Sequence, residues 1–301
     1  MTASVRTTGL TKIYARHQEG IVDLDLEVRP GEVFGFLGPN GAGKTTTLRL
    51  LLDLIRPTRG RAEVLGRDPR RDGVQVRRRV GYLPGDLALY ENLTGGELLH
   101  YLAHLRGMPD RVYAGELAER LDLDLTRHIH DLSRGNKQKV GVVQALMHRP
   151  ELVILDEPTS GLDPLVQQEF HLLVREAAGE GRTVLLSSHV MSEVERMADR
   201  VAILRSGRLA VVEEVAALKA RALRRLELDF AGPVPRSAFT GVPGLRDLDV
   251  SGSTVRCGLT GAVGPLMRVA TRFELLNVTS HEPDLEEIFL EYVRGVEHGV
   301  A

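Results

Sequence analysis

Residues 33–50 read VFGFLGPNGAGKTTTLRL. The first five carry no charge and predict a buried strand. Gly38-Pro39-Asn40-Gly41-Ala42-Gly43-Lys44-Thr45 then completes the spacing G-x-x-x-x-G-K-[S/T], and a helical pattern follows. Glycines let the backbone wrap round an anion and present its N–H groups at a helix N-terminus, where the helix dipole also favours negative charge. Gly38, Asn40, Gly41, Ala42, Gly43, Lys44, Thr45 and Thr46 are therefore the expected phosphate-binding residues. Within them Lys44 reaches the β- and γ-phosphates and the Thr45 hydroxyl ligates Mg²⁺.

Outward from this loop, a helix is expected from about Lys44 to Ile55, stopped by Pro57. Upstream, SVRTTGL and IVDLDLEV read as short strands; downstream, AEVLG and VGYLP do so again, flanking an Arg-rich stretch that reads as a solvated loop and helix face. From about 87 to 146 the spacing turns helical. The strand–helix rhythm then resumes with ELVILD, PLVQQEFHLLVREAAGEG, TVLLSSH and MSEVERMAD, and VAILRSGRLAVVE reads as a terminal hairpin. Near Val215–Arg225 the composition shifts. RLELDF, DLDVSG, STVRCGLT and FELLNVTS predict a small module, and DLEEIFLEYVRG an amphipathic tail helix with Leu285, Ile288, Phe289 and Tyr292 on one side. The expectation is an α/β fold: a P-loop NTPase cassette with a mostly parallel core sheet, an antiparallel N-terminal subdomain and a helical insertion, followed by a small C-terminal α+β module. The domains are expected at 1–218 (insertion about 87–146) and 219–301.

ELVILD ends in two acids, Asp156 and Glu157, at the carboxyl end of a buried strand facing the phosphate loop. Asp156 is suited to hold magnesium, and Glu157 to orient or deprotonate the water attacking the γ-phosphate. No guanine-reading NKxD occurs, since Asn136-Lys137-Gln138-Lys139 lacks the aspartate, so the nucleotide is expected to be ATP.

Composition narrows the classes. The chain has 301 residues and a net charge of -2, which offers nucleic acid no global attraction, and no nucleic-acid partner is expected. The single cysteine, Cys257, rules out an intramolecular disulfide and a Cys-rich metal site, and reads as a buried small hydrophobe. The start MTASVRTTGL has no apolar run of a signal peptide, and no stretch is long and apolar enough to span a membrane.

Between loop and acids lies Leu132-Ser133-Arg134-Gly135-Asn136, which resembles the LSGGQ signature of ATP-binding cassette proteins. In the same family order, Tyr14 resembles the aromatic that stacks on adenine, Ser160-Gly161-Leu162-Asp163 the D-loop, and His189 the switch histidine. The resemblance covers roughly residues 4–215. It implies ATP and Mg²⁺ as ligands, catalytic roles for Lys44, Glu157 and His189, and metal ligation by Thr45 and Asp156. It also implies a head-to-tail dimer of two copies. Ser133 and the N–H groups around Gly135 would then meet the opposite subunit's nucleotide, and Asp163 would cross the interface.

The chain departs from the family pattern twice. Gly85, followed by Asp86, stands where the family usually has a magnesium-touching glutamine, so Asp86 or water substitutes there, or the relay runs through loop backbone alone. The signature reads SRGN, with Arg134 adding a positive charge and Asn136 keeping an amide. The stretches GYLPGDLALYENLTGGELL, SRGNKQK and DLEEIFLEYVRG resemble bacterial exporter-type subunits, including multidrug and antibiotic efflux ATPases. That implies an ATPase peripheral to the cytoplasmic face of the membrane, powering export through a separately encoded multi-spanning permease. The alternatives are an importer ATPase, or a soluble cassette ATPase of repair or translation.

Overall fold

The computed structural model describes residues 2–15, 18–108, 112–221, 223–281 and 284–289. The elements run β1 (Val5–Ile13), β2 (Glu19–Leu24), β3 (Glu27–Val28), β4 (Val33–Leu37), α1 (Lys44–Leu51), β5 (Arg59–Val64), α2 (Gly73–Arg78) and β6 (Val80–Leu83). Helices α3 (Gly95–Leu105), α4 (Val112–Arg120) and α5 (Arg134–Leu146) follow. After them come β7 (Leu152–Asp156), α6 (Pro164–Gly179), β8 (Thr183–Ser188), α7 (Met191–Met197), β9 (Arg200–Arg205), β10 (Arg208–Glu214) and α8 (Val215–Arg221). The last are β11 (Arg224–Phe230), β12 (Leu245–Ser251), β13 (Thr254–Leu259), α9 (Gly264–Ala270) and β14 (Leu275–His281). They fall into two compact units, Met1–Val212 and Glu213–Ala301.

In the first unit the apolar runs become the inner strands. β4, β7 and β8 are buried along their whole length, as strands covered on both faces must be. They sit in a six-stranded sheet of order β10-β9-β4-β8-β7-β6, with parallel pairing from β9 through β6. Leu37 pairs with Ser188 and Asp156 with Ser187, so three strand ends meet on one edge. A second, antiparallel sheet has β1 paired to β2, β3 and β5. Its Val5, Leu10 and Ile21 share one core with Phe34 and Phe36 of β4 and Leu48 and Leu51 of α1. That shared core seats the helix after the phosphate loop.

Helix α1 stops at Leu51, short of the expected Ile55. Asp53 takes φ 57, its N–H donates to Leu50 O at 3.1 Å, and Leu54 N–H donates to Arg49 O at 2.9 Å. This left-handed closure satisfies the last carbonyls before Pro57 is reached. Asp53 is also fixed by Arg56 at 2.7 Å. The Arg-rich stretch contains the short helix α2, of which only Val76 is buried. Among the described residues no helix is long and apolar enough to cross a membrane.

The second unit is an antiparallel sheet of order β12-β13-β11-β14. Taken with α9 and a 3₁₀ turn at Arg236–Phe239, that order is the split β-α-β arrangement with its first helix reduced to one turn. Its core joins Leu226, Leu228, Phe230, Phe239, Val255 and Leu266, and includes Cys257, buried as expected. Helix α9 was not distinguished in the sequence. Leu285, Ile288 and Phe289 of the expected tail helix are buried within a helical run at 285–289; Tyr292 lies outside the described residues.

Candidate active site

The loop between β4 and α1 turns through positive φ at Gly41 (80°) and Gly43 (106°). A Cβ on Gly43 would stand 2.6 Å from Gly20 O, so only glycine gives both the angle and the close approach. Lys44 opens α1 and is 6 % exposed. Its Nζ donates to Gly38 O at 2.6 Å and lies 3.7 Å from Glu157 Oε1. Burial pulls the Lys44 pKa below its ordinary value, while Glu157 and Asp156 act to hold it up. Thr47 Oγ1 donates back to Gly43 O at 2.9 Å, bracing the first turn.

A cleft of about 270 Å³ is lined by the loop from Pro39 to Thr46, by Glu157 and by Tyr14. The Tyr14 hydroxyl is 3.1 Å from Thr46 Oγ1, and Lys12 Nζ lies 5.3 Å from its ring centroid. Gly20 makes room for that ring, because a Cβ there would be 2.7 Å from Tyr14 Cε2. Tyr14 and the phosphate loop thus share one cleft.

Asp156 ends β7 and is 1 % exposed. Its Oδ1 accepts from the Ser187 hydroxyl, while Oδ2 is buried with no partner. A buried carboxylate oxygen without a partner is an oxygen donor of the kind magnesium takes. Next to it, Glu157 Oε2 accepts from His189 Nδ1 at 2.7 Å. The Glu157 carboxylate therefore stands between imidazole and ammonium. Gly85 packs against Asp156, where a Cβ would be 3.3 Å from Oδ2. Asp86 instead turns outward, its side chain 98 % exposed and 3.7 Å from Arg49.

The signature residues do not line this cleft; they meet the D-loop. Ser133 caps α5, its Oγ accepting from Asn136 N–H at 3.2 Å. Arg134 Nη2 donates to Ser160 Oγ at 3.0 Å. Gly135 approaches Gly161 so closely that a Cβ would lie 2.5 Å from the Gly161 carbonyl oxygen. Asp163 caps α6 by accepting from Leu165 and Val166 N–H, both at 3.1 Å. Those backbone donors, Val166 first, hold its carboxyl pKa below the usual value.

Two residues of the site were missed in the sequence. Ser187, which anchors Asp156, follows only from strand pairing. Gln138 Nε2 donates to Glu157 O at 3.3 Å and Pro158 O at 2.9 Å, a contact between α5 and the turn after β7.

A family profile described as ABC transporter matches residues 21–160. The bacitracin transport ATP-binding protein of Bacillus licheniformis is 34 % identical over 306 residues, covering 98 % of this chain and 99 % of that protein. A daunorubicin resistance ATP-binding protein of Streptomyces coeruleorubidus is 35 % identical over 302 residues, covering 95 % of each. A solved dimeric structure of a bacterial ABC transporter cassette superposes with a TM-score of 0.64 at 24 % identity, over 70 % of this chain and 98 % of that one. With end-to-end likeness to such relatives, the chain belongs to the ABC transporter family as an ATP-binding, ATP-hydrolysing subunit.

Proposed function

We propose that this subunit powers export through a separately encoded multi-spanning permease, at the cytoplasmic face of the membrane. Support for export over import, repair or translation is the end-to-end likeness to ATP-binding proteins of bacitracin transport and daunorubicin resistance.

In the proposed chemistry Tyr14 stacks on the adenine. Gly38, Asn40, Gly41, Ala42, Gly43 and Thr46 contribute the phosphate cradle, and Lys44 exchanges its loop carbonyls for phosphate oxygens. Thr45 and Asp156 would hold magnesium, which when bound neutralises developing phosphate charge. Glu157 takes the proton of the attacking water, and His189 fixes the far carboxylate oxygen so that Oε1 faces the reacting centre. The Asp86 side chain is solvent-exposed beside Arg49, which favours water or loop backbone in place of the family's glutamine.

The second copy enters through the signature. Ser133 Oγ accepts within its own helix cap, which leaves its O–H as a donor, and N–H groups near Gly135 open a helix of 13 residues. Both suit the γ-phosphate of the partner copy's ATP, with Asp163 beside it. We place the domain boundary at 218/219, within α8 and past the division of the compact units after Val212, which keeps β10, ending at Glu214, whole within the nucleotide-binding part.

Affinity capture of the tagged chain from detergent-extracted native membranes tests the export reading. A stoichiometric multi-spanning protein without its own cassette is the expected co-purifying partner. Recovery only with ribosomal or repair proteins would sink it.

A further inference from the structure

The backbone of Glu157 has φ 51, a left-handed conformation that residues bearing a Cβ avoid unless their surroundings hold them in it. Two elements hold this one. On the amide side, Glu157 N–H donates to Ser187 O at 3.1 Å and lies 3.3 Å from Ser187 Oγ. On the carbonyl side the hold comes from α5, where Gln138 Nε2 bridges Glu157 O and Pro158 O. Gln138 is only 7 % exposed. Both of its targets are carbonyls, so the amide nitrogen must face them, and its two N–H groups match two acceptors. Ser160 N–H also reaches Glu157 O, at 3.3 Å, but nothing else among the described hydrogen bonds ties Pro158 O.

We propose that Gln138 is a positioning residue for hydrolysis. It fixes the turn at Glu157-Pro158 and thereby the direction of the Glu157 carboxylate between Lys44 and His189. It does not line the cleft. The inference rests on the reading of Glu157 as the group that activates water. Loss of the bridge lets the strained turn relax and the carboxylate swing, which affects the chemical step and leaves the ATP-binding loop untouched.

Gln138→Met keeps side-chain length and removes both donors. The expected result is a fall in kcat of about tenfold or more, with the KM for ATP within about twofold of wild type. Gln138→Glu keeps the shape and loses the donors while ionised; a buried carboxyl among carbonyls protonates readily and regains an O–H donor. Its rate relative to wild type should therefore climb as the assay is taken from about pH 8 to about pH 6, with no such climb in Q138M. In a Glu157→Gln background, Q138M should change the residual rate by less than about twofold, since its effect passes through the carboxylate.

A Q138M enzyme with wild-type kcat overturns the proposal, as does a flat Q138E profile or a full additive loss in the E157Q background. Should E157Q itself hydrolyse ATP at the wild-type rate, the reading of Glu157 falls first and this inference with it. A slow E157Q beside an unaffected Q138M removes Gln138 alone.

Discussion

At the scale of single residues, the molecule separates charged groups that do chemistry from one that must stay neutral. Burial pulls the Lys44 pKa down, and the carboxylates of Glu157 and Asp156 counter that pull. His148 has no such partner. Its Nε2 lies 3.2 Å from Val80 O, its Nδ1 is buried without a partner, and burial, reinforced by Arg106, pushes its pKa down to about 4. The unfolded chain takes up that proton near pH 6.5 while the folded chain resists until about pH 4. Stability is therefore full above pH 6.5 and falls as the pH drops toward 4. The linkage amounts to about 2 kcal/mol by about pH 5. Urea denaturation should show this acid loss in wild type and a flatter profile in His148→Gln; equal slopes would show that other groups control it.

At the scale of elements, local chemistry was legible and tertiary placement was not. Gly38 to Thr45 could be read because a phosphate loop needs its residues consecutively; the cap at Thr94 was not read. Thr94 Oγ1 accepts from Glu97 N–H at 3.1 Å and Glu97 Oε2 accepts from Thr94 N–H at 2.8 Å, a reciprocal cap on α3. Replacing Thr94 by Ala should cost about 1 kcal/mol. A urea midpoint unchanged from wild type would show α3 held by packing alone. The end of α1 was misplaced because periodicity carries no trace of the left-handed Asp53. Helix α9, seven residues opening Gly-Pro, is too short for a helical period to emerge. Ser187 and Gln138 gave no signal because each earns its role from a partner 31 or 19 residues distant.

At the scale of the whole molecule, phosphate loop and signature lie in one chain yet do not line one cleft. That fits the proposed pairing, in which two copies would complete each other's site. ATP added to E157Q should therefore convert the protein, by light scattering, from one copy to a long-lived pair, whereas wild type returns to the starting mass as ATP is consumed. An E157Q mass unmoved by saturating ATP would count against mutual completion. The fold class was readable at this scale, since strand–helix alternation is carried by the order of apolar runs along the chain. The near-contact of Gly135 with Gly161 has a consequence for descent. A lineage that enlarges position 135 must move the turn at Gly161 in compensation, so the loop that faces the signature limits what the signature can become.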